Sequence, residues 1–224
     1  MSDRTARFQA LVHGLQQRWG PRALQRGRDA STAQGAVLPT AIAALDALLP
    51  HGGLPRGALS ILQGRATSGK TTLALRLVAE AQRANELAHW LDLPMTFDPH
   101  AAQREGVKLS ELVLIRPQGS VEALSILRDI LQGEAAGIVV MSLAESNEEA
   151  MSLSHGLRRL RPALTRSQAL LVLLAERQGV WSSEAALTLQ LQGVQWHFER
   201  DELVGYQVAV TNERGQSASV EVRL

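Results

Sequence analysis

Eight consecutive residues, Gly64-Arg65-Ala66-Thr67-Ser68-Gly69-Lys70-Thr71, carry the most specific chemistry in the chain. They fit the spacing G-x-x-x-x-G-K-[ST]. Glycines at the two fixed positions let backbone amides turn inward around phosphate oxygens. The helix expected to follow points the positive end of its dipole at the same anion. Lys70 reaches the β and γ phosphates, and the Thr71 hydroxyl ligates Mg²⁺, which keeps phosphate oxygens and water as its other ligands. The flanks agree with this chemistry. The run Ala58-Leu-Ser-Ile-Leu62 reads as a strand, and Thr72 to Glu80 reads as a helix. The expected ligand is therefore ATP or ADP with Mg²⁺, held by Gly64 through Thr72 with Thr71 on the metal. The competing reading is a glycine-rich helix entry with no ligand.

Other residues admit two readings each. Glu145, Glu148 and Glu149 supply acid groups near the site, or simply a solvated helix N-terminus favoured by the dipole. Arg158, Arg159, Arg161 and Arg166 lie off the stripe Ala150, Leu153, Leu157, Leu160 and Leu164, so they face outward, toward DNA phosphates, an acidic partner or water. Trp181 lies in a short loop and either meets a partner or packs under the sheet edge. The six histidines have no metal-ligand spacing.

Composition frames these groups. With 224 residues the chain is long enough for one sizeable core. It is 45% hydrophobic and 20% charged with net charge +1, so no global field selects a polyanion or a membrane. Cysteine is absent, which excludes disulfides and thiolate-ligated metals. No secretory signal or membrane-length apolar run is expected, and a cytoplasmic location is.

The elements that position the loop follow from periodicity. Residues 3–19 read as a helix with Phe8, Leu11, Val12, Leu15 and Trp19 on one stripe, ended by Gly20-Pro21. With the polar stretch to residue 36 they form an N-terminal helix and arm, residues 1–36, ahead of a core at 37–224. A short helix over 39–49 turns Ile42, Leu45, Leu48 and Leu49 inward. Apolar runs at 58–62, 88–92, 111–115, 137–143 and 169–175 alternate with helical stretches, which predicts a mostly parallel sheet flanked by helices. Four closely spaced runs at 186–191, 194–199, 206–211 and 217–223 predict antiparallel strands at the C-terminal end.

Around the loop the sequence resembles the RecA recombinases, and the resemblance covers most of the chain. Leu45-Asp46 with Gly52-Gly53-Leu54-Pro55-x-Gly57, the loop from Gly64 to Thr72, Trp90-Leu91-Asp92 with Asp98-Pro99 and Gly106-Val107, Leu157 to Leu160, Leu170 to Leu174 and Val208 to Asn212 all carry it, and Gln17 to Gly20 resembles the N-terminal arm. The resemblance implies an α/β RecA-like P-loop core, an adenine contact at Asp98 and an arm that packs on a neighbouring protomer. It also marks departures. Pro94 stands where the water-activating glutamate is expected, and Met141 where the Walker B aspartate is, although a thioether is a poor ligand for a hard cation. Ala175 replaces the γ-phosphate-sensing glutamine, Thr211 and Glu213 replace two lysines that reach a neighbour's nucleotide, and Ala101 replaces the stacking tyrosine. Both DNA loops are short. A kept P-loop with lost acids resembles the ImuA family, which accompanies translesion synthesis. That implies RecA, an ImuB-type polymerase homologue and an error-prone DnaE-type polymerase as partners, homo-oligomerisation, weak DNA binding, no residue in a catalytic role and at most weak ATPase activity. The alternatives are an ATP-dependent motor on DNA and a RecA paralogue that modulates recombination or RecA filaments.

Overall fold

The computed structural model describes residues 36–133, 136–143, 150–199 and 202–223. The expected N-terminal helix and arm, and Glu145, Glu148 and Glu149, lie outside these residues. Among the described residues ten strands and five α-helices follow in order: β1 (Val37–Leu38), α1 (Ala43–Leu48), β2 (Leu54–Pro55), β3 (Leu59–Gln63), α2 (Lys70–Arg83), β4 (Leu87–Asp92), α3 (Pro99–Arg104), β5 (Leu112–Ile115), α4 (Ser120–Gln132), β6 (Ala136–Ser142), α5 (Ala150–Ser167), β7 (Leu170–Ala175), β8 (Leu187–Glu199), β9 (Glu202–Asn212) and β10 (Ser217–Arg223). Strands β1 and β2 form a small antiparallel pair, and the other eight form one sheet in the order β10-β9-β8-β3-β7-β6-β4-β5. Pairing is parallel from β8 through β5 and antiparallel at β8–β9 and β9–β10. This is the expected α/β architecture.

Period-two alternation explains why the central strands are apolar at nearly every position: both sheet faces are covered. Leu62, Trp90, Val140, Val172 and Leu174 face one cluster, together with Leu73, Leu77 and Val78 of α2. Ile61, Leu91, Val139, Met141, Leu171 and Leu173 face the other, together with Leu127 of α4 and Leu153, Leu157, Leu160 and Leu164 of α5. Each such aliphatic side chain contributes about 1.5–3 kcal/mol on burial. Helices α4 and α5 approach closely because residue 156 is glycine; a Cβ there would land on the Leu124 side chain. With the α5 stripe turned inward, Arg158, Arg159, Arg161 and Arg166 are exposed. Among the described residues no helix is long and apolar enough to cross a membrane.

One expectation needs correction. The runs 186–191 and 194–199 are a single strand, β8, so the described residues of the C-terminal region form three strands and not four. Gly193 is not a turn. The register against β9 shifts between Gln192 and Val194, so Gly193 is an extra residue in a bulge. The first half of β8 runs parallel beside β3, pairing Ser60 with Leu187 and Gln63 with Gln190.

Candidate functional site

The loop between β3 and α2 is built by its neighbours. Strand β3 runs between β7 and β8, with Gln63 opposite both Ala175 and Gln190. The Gly64 amide then donates to the Ala175 carbonyl at 3.0 Å, fastening the start of the loop to the end of β7. No side chain fits at this position: a Cβ would land on Ser68 Oγ and lie 2.7 Å from the Leu191 carbonyl oxygen. The loop then turns, with the Ser68 amide donating to the Arg65 carbonyl at 3.2 Å. Thr67 and Gly69 both have positive φ, 64° and 85°. Gly69 takes the left-handed conformation cheaply and is the N-cap of α2, whose first helical bond runs from Leu73 N to Gly69 O at 2.9 Å. The positive end of α2 thus lies at the mouth of the loop.

Arg65, Ala66 and Thr67 are exposed at the tip, while Ser68 is buried with its hydroxyl unpartnered beneath the turn. Lys70 folds back over the loop; its ammonium donates to the Arg65 carbonyl at 3.1 Å and lies 3.9 Å from Glu176 Oε1. Thr71 is exposed in the first turn of α2, with Thr72 half-buried beside it. Next to Gly69 and Thr72 lies an apolar crevice lined by Leu73, Leu191, Val208 and Val220, with room for roughly one water molecule.

The positions that resemblance marks as lost acids are placed as follows. Met141 is fully buried between its strand neighbours Leu91 and Leu173, and its thioether belongs to the core. Pro94 follows β4, three strands from β3, roughly 14 Å at ordinary strand spacing. Asp92, at the end of β4, is buried and accepts the amides of Thr96 at 3.1 Å and Phe97 at 2.9 Å. Ser142 Oγ donates to it at 3.3 Å, and Arg116 Nε lies 3.7 Å away. Asp92 therefore pins the segment after β4.

Asp98 caps α3. Its Oδ1 accepts the amides of His100 at 2.8 Å and Ala101 at 3.2 Å, and these two bonds, that from Ala101 foremost, hold its carboxyl below the usual carboxylate range. Helix α3 is tied to α2 by Arg76 and Glu105 at 2.7 Å. Trp181 packs against the α4–α5 side of the core, its ring lying where a Cβ on Gly179 would fall.

Glu176 is the site residue that sequence reasoning passed over. The signal available for it was small: an acidic residue directly after a fully apolar strand. Its significance comes from the sheet order, which sets β7 beside β3.

Residues 7–180 match the RecA N-terminal domain. The chain is 32% identical to Protein RecA of Chlorobaculum tepidum over 74% of its own length and 53% of that protein's. It is 31% identical to Protein RecA of Streptomyces ambofaciens over 80% and 53%, and 29% identical to Protein RecA of Chloroherpeton thalassium over 77% and 53%. It spans about half the length of the curated relatives it matches. With the match extending over more than half of its residues, the chain belongs to the RecA N-terminal domain family.

Proposed function

We propose that the protein binds ATP or ADP with Mg²⁺ at Gly64 to Thr72 and acts as a RecA-like accessory protein of DNA-damage-induced translesion synthesis, as its resemblance to ImuA implies. One observation carries the nucleotide part: the loop keeps the glycine at 64 where no Cβ fits, the left-handed Gly69 and the helix end behind it. Backbone amides of the loop and Lys70 would hold the phosphates, and the Thr71 hydroxyl would hold the metal ion. When bound, Mg²⁺ neutralises phosphate charge. Asp98, the N-cap of α3, is the proposed adenine contact.

Turnover is slow or absent in this reading. Met141 is buried and Pro94 has no titratable group, while loss of a positioned base typically lowers a rate by about 10²–10⁴-fold. Nucleotide then serves as a structural ligand or a switch. The action is through protein contacts, with RecA, an ImuB-type partner and a DnaE-type polymerase, and with further copies of the chain through residues 1–36. The exposed arginines of α5 support weak, salt-sensitive DNA binding.

Two measurements test this. Calorimetry should give ATP or ADP binding that Lys70→Ala removes; no binding up to millimolar nucleotide refutes the site. Pull-down from DNA-damaged cells should recover RecA and a polymerase partner; recovery of neither refutes the accessory role. A turnover comparable with that of a DNA-stimulated recombinase, abolished by Lys70→Ala, would favour the motor instead.

A further inference from the structure

A phosphate-loop lysine is a cation placed to meet the terminal phosphates, so whatever else lies near its ammonium competes with them. Here the oxygen neighbours of Lys70 Nζ include the Arg65 carbonyl at 3.1 Å and Glu176 Oε1 at 3.9 Å. The carboxylate is no wandering surface group. The residue before it, Ala175, is paired with Gln63 in the β3–β7 ladder and accepts the Gly64 amide at 3.0 Å. The backbone carrying Glu176 is thus fastened to the first residue of the loop. The Lys70 side chain is 14% exposed and that of Glu176 36%, so the pair sits at the mouth of the loop, partly desolvated.

We propose that Glu176 is a specificity-determining residue of this site: its carboxylate stands where the terminal phosphate of a nucleoside triphosphate must approach Lys70, so the loop favours nucleoside diphosphates. The inference rests on the nucleotide-binding reading above. A diphosphate engages the backbone amides, the helix end and Lys70 with its β phosphate, and places no third phosphate beside the Glu176 carboxylate. A triphosphate brings additional negative charge to within about 5 Å of a carboxylate. With an effective dielectric constant of about 50, between that of a protein surface and that of water, repulsion of unit charges at that separation amounts to roughly tenfold in affinity. Partial exposure keeps the effect sensitive to salt. A role for Glu176 as a replacement Mg²⁺ ligand makes the opposite prediction, because the carboxylate would then help bind the triphosphate.

The test is calorimetric titration of the full chain with ADP and with ATP, each with and without Mg²⁺, at two salt concentrations. The proteins are the unmodified chain, Glu176→Gln and Glu176→Asp. The unmodified chain should prefer ADP by roughly tenfold at low salt. Glu176→Gln should tighten ATP binding by about that factor, leave ADP within about twofold and remove the salt dependence of the preference. Glu176→Asp, which keeps the charge, should retain the preference and shows that the effect is not misfolding. An unchanged ATP-to-ADP ratio in Glu176→Gln overturns the proposal alone. So does weaker binding of ATP only when Mg²⁺ is present, which would assign Glu176 to the metal. Absence of binding by the unmodified chain and Glu176→Gln alike overturns both this proposal and the nucleotide-binding reading.

Discussion

Replacing Met141 by aspartate puts an acid at the position where RecA resemblance expects one, and the structure predicts that this damages the fold without creating a catalyst. Met141 has no exposed surface and sits between Leu91 and Leu173 on the face covered by α4 and α5. Losing its buried side chain costs about 2 kcal/mol in transfer alone. The new carboxyl would share that apolar environment, where burial raises a carboxyl pKa by about 3 units or more. With 1.36 kcal/mol per unit, ionisation of the unfolded chain adds about 4 kcal/mol to the destabilisation at neutral pH. The sum, about 6 kcal/mol, is comparable with the whole stability of an ordinary domain, about 5–15 kcal/mol. The sign follows from the raised folded-state pKa: the variant is least destabilised near pH 4 and loses stability as pH rises toward 7. Urea unfolding midpoints at pH 4.5 and 7.5 measure it, with Met141→Leu as the volume control, expected to cost less than about 1.5 kcal/mol. A Met141→Asp protein as stable as the unmodified one at pH 7.5 would refute the reasoning. So would one that gains Mg²⁺-dependent ATP hydrolysis lost again on Lys70→Ala, because the strand end would then open toward the loop.

Gly64→Ala should weaken nucleotide binding by at least tenfold in calorimetry while leaving a folded chain, because the added Cβ displaces Ser68 and the Leu191 carbonyl; unchanged affinity would mean the loop gives way at no cost. Gly156→Ala should lower stability by about 1–3 kcal/mol through overpacking against Leu124, and Leu124→Ala in the same chain should recover part of that loss in a double-mutant cycle. Burial lowers the pKa of His89, opposed by a backbone hydrogen bond with Ile138. Its folded-state pKa lies below the unfolded value, so its stabilising contribution is full above about pH 6.5 and is lost as pH falls through that value toward the lowered one. Urea midpoints should therefore drop from pH 7.5 to pH 5.5 more in the unmodified chain than in His89→Gln; equal drops would remove His89 as the cause.

The loop itself was legible in the sequence because its chemistry is local: eight contiguous residues between a strand-like run and a helix-like one. The central strands were legible for a similar reason, since a strand covered on both faces must be apolar throughout, as in Ala136–Ser142. What escaped depends on pairing between distant segments. Gly193 looks like a turn between two short runs, yet the ladder to β9 absorbs it as one extra residue. Asp92 reads as one more resemblance to a family pattern, and only the fold shows it collecting two amides and the Ser142 hydroxyl. Glu176 reads as the end of an apolar run; its proximity to Lys70 exists only because β7 crosses back to lie beside β3.

The neighbours of β3 set an order for the birth of the protein. Its hydrogen-bonding partners, Leu171 to Ala175 on one side and Leu187 to Gln190 on the other, come more than a hundred residues later in the chain. On a ribosome, where roughly 5–20 residues are added each second, the strand leading into the loop waits several seconds with both edges open. Pairings of such sequence separation are slow to close even once the chain is complete. The loop from Gly64 to Thr71, which precedes both flanking strands in the sequence, is therefore among the last parts of the molecule to take shape, and a nascent chain stalled before residue 170 would carry every residue of the loop with neither flanking strand to hold it.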